Sequence, residues 1–252
     1  MASEAVTAAV IIIGNEILSG RTQDTNLAYL AKELGEIGVQ VREARVVPDD
    51  ETEIVDAVNA MRARYTYVFT TGGIGPTHDD ITSAAIAKAF GLRHGRHPEA
   101  ERRLLAYYPP EKVNPARMKM AETPEGAELI DNPVSVAPGF RVENVFVLAG
   151  IPQIVRAMFD GIRPTLRGGA PVRSRSITTY SPEGEIAAPL EAIQHRYPDI
   201  EIGSYPFQRI GRFGTTLVFR GTDPTRIDSA VGELLAFAAG KGIEVEEVPT
   251  TG

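Results

Sequence analysis

The stretch "TTGGIGPTHDD", residues 70–80, holds the densest chemistry in the chain. Gly72, Gly73 and Gly75 sit between an apolar run ending at Phe69 and a helix-like run beginning at Ile81. Glycine tolerates positive φ and leaves no side chain between backbone and ligand. Consecutive N–H groups exposed in this way form a nest for an anion. A helix starting near Asp80 adds its positive dipole end and its unpaired N–H groups. Phosphate is the expected guest. Two familiar phosphate motifs are absent. There is no G-x-x-x-x-G-K-[ST], and three positions after Gly75 stands His78 rather than glycine.

Two aspartates stand beside this anion seat. Asp79 or Asp80 at the N-cap would satisfy free helix amides. Two adjacent side chains cannot easily both do so. The spare carboxylate, assigned to Asp80, suits Mg²⁺ or another divalent cation shared with a phosphate. Such a cation would also offset the repulsion between carboxylate and phosphate. Asp49, in "VVPDDETE", and Glu16, in "GNEIL", are the further candidate metal ligands. Each has an equally good plain reading: a turn aspartate after proline, and a solvated loop carboxylate. Asp50 has capping-box spacing to Glu53, and Asp24 is the expected N-cap of the first long helix.

His78 is a candidate to bond phosphate or to activate water, against the plain reading of a solvated loop histidine. Thr77 and Asn26 join the three glycines as ligand-binding candidates. Arg117 and Lys119 could bring positive charge to a diphosphate. Two apart on a helix, they point to different faces, so at most one reaches the ligand. "HGRH", residues 94–97, has metal-like spacing but reads as an exposed loop rather than a zinc site. Tyr107-Tyr108 reads as packing. Ser19, Ser83 and Ser135 lack a nucleophile-elbow context, which disfavours an acyl-enzyme hydrolase.

These residues need elements to hold them. The 252 residues are 43% hydrophobic, enough for a sizeable core. The net charge of −7 argues against a nucleic-acid protein with a broad basic face. The absence of cysteine excludes disulfides, thiolate metal sites and cysteine nucleophiles. "AAVIII", residues 8–13, is too short to span a bilayer and has no basic leader. A cytoplasmic protein without a membrane partner is expected.

Ala8–Ile13 reads as a central strand covered on both faces. Leu27, Leu30, Ala31, Leu34 and Ile37 then recur at helical spacing. Val39–Val47 is a second strand, followed by a helix with Ile54, Val55, Val58 and Met61 on one face. Tyr67–Thr70 is a third strand, and Ile81–Phe90 a helix ending near Gly91. This βαβαβα order predicts a parallel sheet with helices on both faces, and the glycine loop at a strand's carboxyl end, where such sheets bind ligands. Residues 98–121 read as two short helices, and "AELIDNPVSVAPGFRV" as an extended hairpin-like excursion. Val145–Leu148 is a strand and Pro152–Leu166 a helix. "RGGAP", residues 167–171, reads as a linker. Beyond it the order is βαββαβ, that of a ferredoxin-like α+β domain. Two domains are expected, 1–167 and 172–252.

"GNEILSGRTQDTN", "VVPDD", "TTGGIGPTHDDIT", "NPVSVAPGF" and "LAGIP", in this order, resemble the amino-terminal domain of the CinA (competence/damage-inducible protein A) family, within the MoaB/Mog molybdopterin-binding superfamily. The corresponding domain of eukaryotic FAD synthases is similar too. The resemblance covers roughly residues 8–166, and the tail is similar to the small α+β domain of CinA-like proteins. It implies a three-layer α/β/α fold that binds a nucleotide or a pterin phosphate such as molybdopterin. In the Mog branch the acidic motif positions, matching Asp49 and Asp80, serve molybdopterin adenylylation or molybdenum insertion. In the CinA-like and FAD-synthase-like branch, which this sequence resembles more, the domain is associated with metal-dependent hydrolysis of nucleotide pyrophosphates such as ADP-ribose or FAD. The resemblance also implies a homo-oligomer, dimer or trimer. Two departures stand out. Thr82 is followed by Ser83 where the Mog branch commonly has Thr-Pro, and Ala149 replaces the proline of Leu-Pro-Gly-x-Pro. Without the amidohydrolase domain of CinA or the adenylyl-transfer domain of FAD synthases, nicotinamide-mononucleotide deamidation and FAD synthesis are not expected.

Overall fold

The computed structural model describes residues 5–209 and 212–248. The first four and last four residues, which fall inside the two expected domains, lie outside the described residues, as do Ile210 and Gly211. The chain divides into two compact units, up to Gly169 and from Ala170 onward.

The first unit runs β1 (Thr7–Ile13), α1 (Asn15–Leu18), α2 (Asn26–Glu36), β2 (Gln40–Val47), α3 (Glu51–Arg62), β3 (Tyr67–Thr71) and α4 (Thr82–Phe90). It continues with β4 (His94–Arg96), α5 (Pro98–Tyr107), α6 (Pro115–Lys119), β5 (Glu122–Pro124), β6 (Glu128–Ile130), β7 (Gly139–Val142), β8 (Val145–Leu148) and α7 (Pro152–Ile162). Six strands form one sheet in the order β2-β1-β3-β8-β7-β6. The first four are parallel, and β7 and β6 add antiparallel pairings.

The sheet is buried because β1 alternates between two apolar layers. Ala9, Ile11 and Ile13 pack with Ile54, Val58 and Met61 of α3 and with Ala85 and Ile86 of α4. Ala8, Val10 and Ile12 pack with Leu30 and Leu34 of α2 and with Val155, Met158 and Phe159 of α7. This is a three-layer α/β/α fold. Each fully buried Ile or Val contributes about 1.5–3 kcal/mol of transfer free energy, so the two-sided strand anchors the loops that leave its end.

Several expectations change. The extended excursion joins the central sheet as β6 and β7, with Asn132 closing the turn between them through bonds to Val134, Ser135 and Ala137. Residues 94–96 are not loop: they form a two-stranded ladder with Glu122–Pro124. The loop after β1 contains the short helix α1. The first part of "RGGAP" is held on the first unit, since Arg167 N–H donates to the Tyr67 hydroxyl at 2.8 Å and Gly169 N–H to Ile37 O at 3.0 Å.

The second unit runs β9 (Arg173–Thr179), α8 (Glu183–Arg196), β10 (Glu201–Arg209), β11 (Arg212–Gly221), α9 (Pro224–Lys241) and β12 (Val245–Val248). Its antiparallel sheet has the order β10-β11-β9-β12, the ferredoxin-like arrangement of a βαββαβ chain. Ile177, Leu217 and Phe219 of the sheet pack with Ile186 and Ile193 of α8 and Ile227, Val231 and Leu234 of α9. Among the described residues no helix is long and apolar enough to cross a membrane.

Candidate functional site

Three loops leave the carboxyl ends of neighbouring parallel strands β2, β1 and β3, and they touch each other. The Asp49 carboxylate accepts the Asn15 N–H at 2.9 Å, joining the second loop to the first. Gly72 joins the third loop to the first: a Cβ there would lie 2.2 Å from Ile13 O, and its φ is +104°. No L-side chain fits that contact. At Gly73, φ +68°, a Cβ would lie 2.1 Å from Thr82 Oγ1.

The amides of the glycine loop divide into two sets. Gly72 N–H donates to Leu148 O at 3.2 Å, and Thr77 N–H donates to Asp80 Oδ2 at 2.8 Å. The N–H groups of those two expected phosphate-binding residues are therefore already engaged within the protein. The amides of Gly73, Ile74 and Gly75 have no partner among the described residues. Nor do the first-turn amides of Ser83 and Ala84 at the start of α4. Helix α4 has no side-chain cap: its N-cap is Ile81, and Thr82 N–H bonds Gly73 O at 3.0 Å. The capping role expected of Asp79 or Asp80 is thus not filled by either.

Asp80 instead folds back over its own loop. Its Oδ2 also accepts the Thr77 hydroxyl at 2.5 Å. Gly75 permits this approach, since a Cβ there would lie 2.7 Å from Asp80 Oδ2. Oδ1 has no hydrogen-bond partner among the described residues.

A cavity of about 230 Å³ opens beside this loop. Ile74, Gly75, Ser83 and Ala84, four residues with unpartnered amides, line it together with Asp80 and Lys119. Its apolar wall includes Ile81, Met120, Pro138 and Phe140. Lys119 Nζ donates to Thr77 O at 2.5 Å. Arg117 faces elsewhere, donating to Lys112 O and lying 4.5 Å over the Tyr108 ring. Lys119 is therefore the one of the pair at the cavity.

Other expected site residues fall outside it. The side chain of His78 is 98% exposed, its Nδ1 lies 3.9 Å from Asp79 Oδ1, and it does not line the cavity. Asn26 is buried and spends its Nδ2 on Gly150 O at 2.8 Å. Asp49 and Glu16 do not line the cavity either. Among the described residues no three His, Asp or Glu side chains are grouped to share a metal ion, so the trio Asp80, Asp49 and Glu16 is not a ready cage. The reason is local: Asp49 is turned onto Asn15, and Asp80 onto Thr77. Asp50 caps α3 as expected, accepting Thr52 and Glu53 N–H at 2.9 and 3.1 Å. Asp24 accepts the Asn26 and Leu27 amides at 3.3 and 3.0 Å, one residue ahead of the N-cap.

Three cavity residues escape a reading of motifs: Ser83, His94 and Glu122. Ser83 Oγ donates to Glu122 O at 2.7 Å and lies 3.1 Å from His94 Nε2. The other half of "HGRH" has a different job, since His97 Nδ1 accepts the Glu99 N–H at 3.2 Å and caps α5. The only sequence signal for the cluster was position. Ser83 falls in the first turn after the glycine loop.

The fold defines the class: an open, mostly parallel α/β sheet with a glycine loop and a helix N-terminus at its strand ends, the place where such sheets take ligands. Residues 9–168 match the family model described as "Probable molybdopterin binding domain", and residues 171–247 match "FAD synthase, middle domain". The chain belongs to the CinA-like family of molybdopterin-binding-domain proteins. It is 35% identical to a CinA-like protein of Desulfosudis oleivorans, over 95% of this chain and 63% of that one. It is 31% identical to a protein of Caenorhabditis elegans named "Probable FAD synthase", over 93% of this chain and 50% of that one. The crystal structure of CinA from Thermoplasma acidophilum, 36% identical, superposes with a TM-score of 0.61 over 64% of this chain and 98% of that one.

Proposed function

We propose that this protein is a divalent-metal-dependent pyrophosphatase acting on nucleotide diphosphates of the ADP-ribose or FAD class. One observation carries the reading: unpartnered backbone amides from the glycine loop and from the start of α4 line the same cavity as a carboxylate and an ammonium group. Main-chain donors of this kind hold a phosphate and stabilise charge that develops on its oxygens. Lys119 adds a point charge beside them. The relative named as an FAD synthase lends weight to a nucleotide as ligand.

The residues present fit a cation such as Mg²⁺, which keeps several waters and needs few protein carboxylates when phosphate completes its shell. Asp80, with Oδ1 unengaged, would hold it from the cavity wall, with Asp49 or Glu16 available from the adjoining loops. A bound cation would polarise a phosphoryl oxygen and acidify a water. The chain's own part is to bind the diphosphate, orient it, and shield one side with Ile81, Met120 and Phe140.

A second reading is a module that holds molybdopterin or a nucleotide without turnover. It is favoured by the separate engagements of Asp49 and Asp80, which leave no preformed cage among the described residues. Incubation with ADP-ribose, FAD and pterin phosphates, with and without Mg²⁺ or Mn²⁺, separates the two. Release of mononucleotide that vanishes in Asp80→Ala supports the enzyme. Tight binding without product across all ligands and metals rules it out. A cytoplasmic homo-oligomer, dimer or trimer, belongs to the same proposal.

A further inference from the structure

We infer that His94 is the base that accepts the proton of the attacking water through Nδ1, and that Ser83 positions its ring. This assignment rests on the pyrophosphatase reading. It replaces His78, whose side chain stands in solvent.

Ser83 has a single O–H, and at 2.7 Å it donates to Glu122 O. Its oxygen then has only lone pairs left for the ring 3.1 Å away, so His94 Nε2 must carry the hydrogen. The neutral ring is thereby fixed in one tautomer, with the lone pair on Nδ1. No hydrogen bond engages Nδ1 among the described residues.

Elements far apart in sequence build this relay. Ser83 stands in the first turn of α4, His94 on β4, and Glu122 on β5, which pairs with β4 in a three-residue ladder. The ring lines the cavity with Asp80, Lys119 and Glu122, the charged groups that face it from the loop, α6 and β5. His94 is exposed as a residue, but partial desolvation of its ring at the cavity lowers its pKa from 6.5, against the pull of Glu122 and with help from Lys119. The ring is therefore neutral at pH 7 and able to take a proton.

In the step itself, a water proton passes to Nδ1 and the water oxygen bonds to phosphorus. The bridging P–O bond breaks, and its electron pair leaves on the second phosphate. Two phosphate monoesters result, and the imidazolium returns its proton to solvent.

The test is the pH dependence of kcat and KM for Mg²⁺-dependent ADP-ribose hydrolysis in wild type, His94→Gln and Ser83→Ala. Wild type is expected to show an acid limb below pH 6.5. His94→Gln, whose amide can still donate to Ser83, is expected to lose about 10²-fold or more in kcat with KM unchanged, and to lose that limb. Ser83→Ala is expected to lose less, in kcat alone. Proton NMR of the wild type supplies a check free of mutation: the His94 ring should titrate below pH 6.5 and shift on adding ADP-ribose. An active wild type whose rate and acid limb survive in His94→Gln overturns the assignment alone, as does a His94 resonance indifferent to ADP-ribose. A wild type that splits no diphosphate overturns both it and the proposed function.

Discussion

Replacing Gly73 by alanine tests how the phosphate loop is held. Gly73 has φ +68°, so a side chain there costs about 1–2 kcal/mol in the left-handed region. The new Cβ would also lie 2.1 Å from Thr82 Oγ1 and 3.2 Å from Thr82 Cβ. Thr82 is fully buried, and its hydroxyl donates to Gly72 O at 3.0 Å. Swinging it away orphans a buried hydroxyl and a carbonyl, at a further cost of about 1–3 kcal/mol. The expected loss for Gly73→Ala is therefore about 2–5 kcal/mol. Gly91→Ala is the control. Its φ is +65°, nearly the same, but nothing lies within 4 Å of its Cβ position. It carries the conformational cost alone, about 1–2 kcal/mol. Urea unfolding of the full chain, following the transition of the first unit, reads both. Equal losses in the two variants would refute the claim that Thr82 is pinned against the loop.

Other consequences follow from single side chains. Lys119→Met removes the ammonium at the cavity and should weaken ADP-ribose binding about tenfold at low salt, the order of one charged contact; unchanged affinity by calorimetry would place the ligand elsewhere. Tyr29, with its pKa pushed up to about 12 by burial first and then by Asp160 and Glu33, favours the neutral phenol in the folded state. Its folded pKa lies above the ordinary 10.0, so that contribution is complete below pH 10 and is lost as pH rises through about 12. Tyr29→Phe should therefore lose less stability than wild type over that window, measured by unfolding midpoints. Glu99 is the opposite case, held down to about 2 by hydrogen bonds from Arg102 and then Arg103. Its contribution is complete above 4.5 and is lost as pH falls toward about 2, so Glu99→Gln should flatten the acid side of the same curve.

Much of the scaffold was legible because it rests on local rules. Strands β1, β2 and β3 announce themselves as apolar or β-branched runs between turn residues. Asp50 sits at capping distance from Glu53 and does cap α3. The glycine loop was read as an anion seat, and the amides of Gly73, Ile74 and Gly75 have no partner among the described residues. Most of what escaped was non-local. Strands β4 and β5 have three residues each and are far apart in sequence, too short for periodicity to reveal, so His94 read as part of a solvated loop. Strands β6 and β7 have three and four residues, and only the pairing of β7 with β8, and of β6 with β7, shows them to be part of the central sheet. Inside the loop, motif logic assigned Asp80 to a helix cap or a metal. It could not anticipate that Thr77 offers both its N–H and its hydroxyl to the same carboxylate. Asn26 and Thr77 looked free in sequence because their partners, Gly150 and Asp80, are set by the fold.

The proposed site works only if the loop's open amides grip a phosphate. Amide NMR of the nitrogen-labelled protein, titrated with ADP-ribose in the presence of Mg²⁺, tests it residue by residue. Saturable shifts should appear first at Gly73, Ile74, Gly75, Ser83 and Ala84, with Gly72 and Thr77 moving less because their N–H groups are already spent. Saturable binding that leaves those five amides unmoved would contradict the account.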